Sequence, residues 1–416
     1  MGNCPCLLET AHAEFDEAAS FLGLDPALSE FLRWPMKEYC FTVPIRMDDG
    51  HSRTFHGYRI LYNYARGPCT GGLLWHLDET MDSGRAMAAC MTWRTALMDI
   101  PLGGAAGGLI CDSKTLSETE KERLARGWMR AMAPHMGEDR DVLSPDVYTT
   151  PQIMAWMLDE YEVITGRSHP AAIAGKPLAL GGSQGRNDAA ARGGIYAVRE
   201  ACKVLGIDPK GTYAIQGFGN SGQLAGLLHP RILGGGKLVA VSDTSGGIYS
   251  LNGIDPVALV EYKQKTGKVS SFPSTQPITN EDLLELDVDV LYPAAREDVI
   301  TQASAEQIKA RIICELADGS VTAEADLILH IKGVHVIPDF LANAGGVTVS
   351  YLEQVQGSYH YFWPLDEIHR QLDARVTKAC HEILQMQKSK NVPVRFAAYL
   401  VAVNRVAEAV KMRGWI

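Results

Sequence analysis

Apolar residues recur at helical spacing from Glu14 to Trp34, and the pattern then switches to alternation from Tyr39 to Met47 and again from Thr54 to Tyr64. Asp48-Asp49-Gly50 separates the two alternating runs. A period near 3.6 followed by a period of two predicts a helix and then two strands joined by a turn, a mixed α/β opening. Helical periodicity returns from about Ser83 to Leu97, from Ser117 to Met132 and from Pro151 to Ile164. Ser117, with Glu120 three residues on, has the form of a capping box, in which each side chain accepts the other's backbone N–H.

Gly175 to Gly194 contains six glycines and Pro177, a density that marks a hinge rather than the interior of an element. The domain junction is placed there, with residues 1–182 forming a first domain, 183–384 a second, and the C-terminal helices of about 385–416 free to pack back on the first. Past the hinge, Gly193 to Leu205 reads as a helix, and short apolar runs at Thr212–Gln216, Lys237–Ser242, Val288–Leu291, Ile312–Glu315 and Val334–Ile337 read as buried strands with helices between them. That alternation predicts a doubly wound, parallel, Rossmann-type sheet behind the mixed N-terminal domain. Leu365 to Arg413 reads as mostly helical, broken near Asn391-Val392-Pro393. No repeat or low-complexity tract interrupts the chain.

Gly217-Phe218-Gly219-Asn220-Ser221-Gly222 fits GxGxxG directly after the Tyr213–Gln216 strand, and Asp243 closes the next strand 21 residues past Gly222. Glycines let the backbone approach a pyrophosphate, the helix that follows offers free N–H groups, and the acidic residue falls where it reaches a ribose hydroxyl. A tight βα turn that holds no nucleotide is the alternative. His229-Pro230 stands where the fingerprint helix should continue, and a proline there predicts an early break or a kink.

The 416 residues carry a formal net charge of -10, which argues against nucleic acid or an anionic membrane as the principal partner and in favour of small molecules or proteins. Nine scattered cysteines without a CxxC pair read as reduced thiols, and the twelve histidines show no metal-site spacing. No membrane-length apolar run and no signal-peptide pattern is present, so a cytoplasmic location is expected. Met1-Gly2-Asn3-Cys4-Pro5-Cys6 has a cysteine where a myristoylation motif has Ser or Thr, which argues against lipidation.

Gly103-Gly104-Ala105-Ala106-Gly107-Gly108, with Met91-Thr92-Trp93-Arg94-Thr95-Ala96-Leu97 and Ile100-Pro101-Leu102 before it, closely resembles the substrate site of the glutamate/leucine/phenylalanine/valine dehydrogenase family. Phe55–Arg59, Ala65–Pro68, Ser144–Val147, Gly175–Leu178, Val241–Asp243 and Asn343–Tyr351 extend the likeness over most of the chain. The resemblance implies an N-terminal substrate and oligomerisation domain, a Rossmann-type nucleotide domain and a cleft between them. It also implies that Ala106 replaces the catalytic lysine. Thr70 stands where glutamate dehydrogenases pair the substrate's side-chain carboxylate with a lysine, Arg94 replaces the lysine that holds the α-carboxylate, and Ser350 is kept. Asp146 matches the proton-transferring aspartate, although a carboxylate near a helix start also serves as a cap. Tyr148 replaces an asparagine and Ala190 a threonine that meets the nicotinamide amide. NAD or NADP would be held by Gly217 to Gly222, Asp243, Ala190 and Asn343.

A methyl group cannot polarise a carbonyl or assist water. The leading expectation is therefore a non-catalytic, regulatory subunit assembled with a lysine-containing glutamate dehydrogenase in a hetero-hexamer, binding an amino-acid effector such as leucine. Alternatives are an active oxidoreductase of altered substrate and a stand-alone nucleotide or amino-acid sensor, either of which admits a homo-hexamer.

Overall fold

The computed structural model describes residues 7–416, so the acylation-like segment at residues 1–6 lies outside them. The chain divides into two compact units, one of Met1–Arg186, Val347–His369 and Tyr399–Ile416, the other of Asn187–Gly346 and Arg370–Ala398.

The first unit opens with two helices, α1 (Leu7–Phe21) and α2 (Pro26–Arg33), where the periodicity predicts one. Gly23, at φ +62°, turns the chain, and the Asp25 carboxylate caps α2 by accepting the Ala27 N–H at 2.9 Å. The alternating runs form the antiparallel hairpin β1 (Lys37–Arg46) and β2 (Ser52–Asn63). After these come β3 (Cys69–Trp75), α3 (Met81–Leu97), β4 (Gly103–Leu109), α4 (Glu118–Met132), β5 (Asp141–Pro145) and α5 (Pro151–Thr165). The Ser117/Glu120 capping box starts α4. The strands make one sheet in the order β1-β2-β4-β3-β5, with β4, β3 and β5 parallel. One face packs on α4 and α5 through Val43, Leu73, Trp128 and Met157, while α3 covers the other.

Arg59 spans this sheet. Its side chain, fully buried, leaves β2 and passes Gly107 of β4, where a Cβ would sit 2.7 Å from the Arg59 Cδ. It donates to the Gly72 carbonyl at 3.0 Å and ends in a two-pronged pair with Asp141 of β5 at 2.8 and 2.6 Å. A charge so buried is tolerable only because every part of its fork is bonded.

The second unit contains α6 (Ala189–Leu205), β6 (Thr212–Gln216), α7 (Asn220–Leu233), β7 (Lys237–Asp243), β8 (Gly246–Tyr249), α8 (Pro256–Thr266), β9 (Gln276–Ile278), β10 (Val290–Pro293), β11 (Ile312–Cys314) and β12 (His335–Ile337). Its sheet runs β12-β11-β10-β6-β7-β8-β9, parallel from β12 to β7 and antiparallel at the β7–β8 and β8–β9 pairs.

The break expected at Pro230 does not occur, since α7 runs on to Leu233. Proline removes the N–H that would bond the Gly226 carbonyl, and the Tyr213 hydroxyl donates to that oxygen instead at 3.3 Å. His229 stacks on the Tyr213 ring, centroids 3.8 Å apart, with its Nδ1 2.8 Å from the Tyr292 hydroxyl. Three helices, Ala344–Tyr359, Leu365–Lys390 and Val394–Met412, complete the chain, and the interruption between the last two falls at Asn391-Val392-Pro393. Among the described residues no helix is long and apolar enough to cross a membrane, and no cluster of His, Cys, Asp and Glu is arranged to hold a metal.

Candidate functional site

The first unit brings three of the sequence-derived positions onto one face of its sheet. Thr70 of β3 pairs with Gly104 of β4 and Leu73 with Gly107, a constant register that sets Gly72 opposite Ala106. A Cβ on Gly72 would lie 2.3 Å from the Asp146 Oδ2, so the Asp146 carboxylate fills the space over Gly72, beside the Ala106 methyl. Ala106 is 1% exposed. Thr70, two residues before Gly72 on the same face, is also buried, and its hydroxyl donates to the Val142 carbonyl at 3.0 Å.

Asp146 is not a helix cap. Thr150 caps α5 by accepting the Ile153 N–H at 3.3 Å. The Asp146 loop is instead tied to β3, with the Thr149 hydroxyl donating to the Leu73 carbonyl at 2.8 Å and the Trp75 N–H donating to the Val147 carbonyl at 3.1 Å. Tyr148 holds φ +57°, a left-handed conformation costly for a bulky residue. Its ring stacks on His76, centroids 5.6 Å apart, and carries the Lys114 ammonium 4.8 Å above it.

Ser350, on the Ala344–Tyr359 helix, accepts a hydrogen bond from the Arg186 guanidinium. Burial pushes the Arg186 group down, while Glu353 and Asp146 act on it as opposing charges. Glu353, one turn after Ser350, makes a fully buried ion pair with Lys176 at 2.6 Å. Sequence reasoning missed Arg186, Lys176 and Glu353. The first two lie in the glycine-rich stretch read only as a hinge, where charged residues among turn residues were the available signal. Arg94 lies half-buried in the last turn of α3, where a cation faces the negative end of the helix.

The second unit builds the fingerprint. Gly217, at φ +91°, turns the chain out of β6, and its N–H donates to the Ser242 carbonyl at 2.9 Å. Gly222 packs so closely that a Cβ there would sit 2.0 Å from the Gly217 oxygen. A Cβ on Gly219 would meet nothing within 4 Å, and Gly219 caps α7 without any side chain. The first N–H groups of α7, from Asn220 and Ser221, therefore start beside open space, while the Phe218 side chain is buried. Such a turn fits a dinucleotide pyrophosphate. Ala190 is in the first turn of α6, its N–H next to Gly345, and Asn343 donates to the Asp318 carboxylate at 3.0 Å. Asp243 ends β7 and accepts from Ser245 and Lys263. Burial pushes its carboxyl up, but the Lys263 and Ser245 hydrogen bonds together hold it below the usual carboxylate range.

Comparison with known proteins matches residues 35–163 to the Glu/Leu/Phe/Val dehydrogenase dimerisation domain and residues 181–414 to the Glutamate/Leucine/Phenylalanine/Valine dehydrogenase domain. The chain is 46% identical over 409 residues to a glutamate dehydrogenase of Thermotoga maritima, covering 98% of each. It is 40% identical to an NADP-specific glutamate dehydrogenase of Synechocystis, covering 98% of this chain and 97% of that one. An NAD-specific glutamate dehydrogenase of Clostridioides difficile is 41% identical, with 98% of each covered. Among solved structures, the leucine-bound form of a hetero-hexameric glutamate dehydrogenase from Thermus thermophilus superposes with a TM-score of 0.91 at 33% identity, covering 100% of this chain and 98% of that one.

Proposed function

Because the chain belongs to the glutamate/leucine/phenylalanine/valine dehydrogenase family, we propose that it is the non-catalytic, regulatory subunit of a hetero-oligomeric, NAD(P)-dependent glutamate dehydrogenase. In this reading it assembles with a lysine-containing paralogue and binds an amino-acid effector. The observation that carries the proposal is the buried methyl of Ala106 beside the Asp146 carboxylate, at the position where the resemblance puts the catalytic lysine. No ammonium stands there to polarise a carbonyl or to exchange a proton with Asp146. Arg186 acts electrostatically on Asp146, but a guanidinium stays protonated at any working pH and does not serve as a general base.

The rest of the pocket supports an effector with an uncharged side chain. Thr70 carries no charge and its hydroxyl proton is committed to Val142, so an acidic side chain finds no cation there. Arg94 would grip the α-carboxylate. Leucine fits these requirements, and the Thermus thermophilus hetero-hexamer with bound leucine is a precedent within the family. Bound nicotinamide dinucleotide would supply a hydride acceptor, and the turn from Gly217 to Gly222 would hold its pyrophosphate. That turn is the observation favouring the second reading, an active oxidoreductase of altered substrate.

Co-expression with a lysine-containing paralogue from the same organism, each chain separately tagged, followed by tandem purification tests the proposal. Mixed oligomers whose kinetics respond to leucine are expected. An effector acts only through a difference in affinity between two states, so the leucine response should vanish in the Arg94→Met form of this subunit. Recovery of homo-oligomers alone, with partner kinetics unchanged by this chain and by leucine, would overturn it.

A further inference from the structure

Ribose recognition in a dinucleotide fold ordinarily depends on an acidic residue at the end of the second strand, whose carboxylate accepts hydrogen bonds from the adenosine 2′-hydroxyl. Asp243 holds that place, yet its acceptor capacity is spent. A carboxylate has about four lone-pair sites. Here Oδ1 takes the Ser245 N–H at 2.8 Å and the Ser245 hydroxyl at 2.5 Å, while Oδ2 takes the Lys263 ammonium at 2.7 Å and the Val269 N–H at 3.1 Å. The Asp243 side chain is 6% exposed, against 19% for Lys263. No free acceptor remains for a ribose hydroxyl.

Lys263 also neutralises the charge that would repel a phosphate at the ribose. Its Nζ stands 6.0 Å from the centroid of the Phe218 ring, which places it between the fingerprint turn and the end of β7. An ammonium has three donors and Asp243 takes one of them. Beside it, Thr244, Ser245 and Gly246 form an exposed turn between β7 and β8, rich in hydroxyl and backbone donors.

We propose that the nucleotide unit selects a 2′-phosphorylated adenosine, as in NADP(H), and that Lys263 is the residue that reads the phosphate. The inference rests on the dinucleotide site of the fold and not on the regulatory role. A phosphate dianion gains charge-assisted bonds from Lys263 and the Thr244–Gly246 turn, whereas an unphosphorylated ribose meets a carboxylate already saturated.

Calorimetric titration of the purified chain with 2′,5′-ADP and with 5′-AMP tests this without turnover or a partner subunit, and titration with NADPH and NADH by nicotinamide fluorescence extends it to the whole cofactor. The 2′-phosphorylated member of each pair is expected to bind at least about tenfold more tightly. The preference should shrink as salt is raised. Lys263→Met should remove most of it while leaving 5′-AMP within about twofold, and Lys263→Arg, which keeps the charge and the bond to Asp243, should retain it. Equal or tighter binding of 5′-AMP and NADH, a salt-independent preference, equal loss of both ligands in a folded Lys263→Met protein, or no saturable binding of any of the four would overturn the proposal. Each of these results leaves the co-purification test of the regulatory reading unaffected.

Discussion

Placing an ammonium back beside Asp146 is the most direct perturbation of the proposed loss of catalysis. Without it, general acid–base assistance worth about 10²–10⁴ in rate and carbonyl polarisation worth about 10²–10³ are both missing. Together that is about 10⁴–10⁷, or roughly 5–10 kcal/mol of barrier. An enzyme of median turnover, about 10 s⁻¹, would fall to about 10⁻³ s⁻¹ or below, which is the expectation for the unaltered chain with glutamate, leucine, phenylalanine or valine. In Ala106→Lys the new side chain enters a position 1% exposed, next to a strand about 4.8 Å away that lies beneath the Asp146 carboxylate. Attraction to Asp146 offsets part of the ammonium's desolvation, and overpacking costs about 1–3 kcal/mol. Glutamate's own side-chain carboxylate still meets Thr70, whose hydroxyl donates elsewhere, in place of a cation. That missing charged hydrogen bond alone is worth about 1.5–3 kcal/mol, or roughly 10–10²-fold. Ala106→Lys is therefore expected to leave glutamate turnover undetected, and Thr70→Lys together with Ala106→Lys to exceed it. Initial rates of reduced-cofactor formation, in preparations freed of host enzyme and with melting curves run on each variant, make the measurement. Turnover by the unaltered chain above about one ten-thousandth of a normal family rate, or robust glutamate activity from a folded Ala106→Lys protein, would refute the reasoning.

Three further outcomes follow from the geometry. Arg59→Met strands the Asp141 carboxylate in the first unit's core and should cost about 3–5 kcal/mol in urea unfolding, whereas Arg59→Met with Asp141→Leu should recover most of it; equal losses would show that the pair's bonds do not matter. Burial pushes the His229 imidazole down to about 3 and that of His335 to about 4, so the unfolded chain, with values near 6.5, binds protons that the native state refuses. Stability should then fall as pH drops, by about 2 kcal/mol for each histidine between pH 7 and 5, and an unfolding midpoint unchanged over that window would contradict it. Gly219→Ala should leave folding within about 1 kcal/mol, because its Cβ meets no atom, yet weaken dinucleotide binding about tenfold or more; unchanged affinity in titration would show that no pyrophosphate approaches that turn.

The features legible in the amino-acid order were those made by neighbours along the chain. The β1–β2 hairpin, the Ser117/Glu120 box, the fingerprint turn and the interruption at Asn391-Val392-Pro393 each depend on backbone preferences and hydrogen bonds spanning a few residues. The replacement at Ala106 was equally visible, because a motif shows a missing side chain without any knowledge of its surroundings. Tertiary contacts decided the rest. Strand β4, Gly-Gly-Ala-Ala-Gly-Gly-Leu, has almost no side chains to give a period, and it is a strand because β2 and β3 flank it. Pro230 reads as a breaker until Tyr213, seventeen residues earlier, donates to the carbonyl it leaves unbonded. Asp146 reads equally as a cap or as a catalytic acid until Thr150 takes the cap and Gly72 leaves room for the carboxylate. Asp243 reads as a ribose acceptor until Lys263 and Val269 take up its remaining lone pairs. A residue type states which bonds a group can make, and only the fold, by bringing distant residues within 3 Å of it, determines which of those bonds are already made.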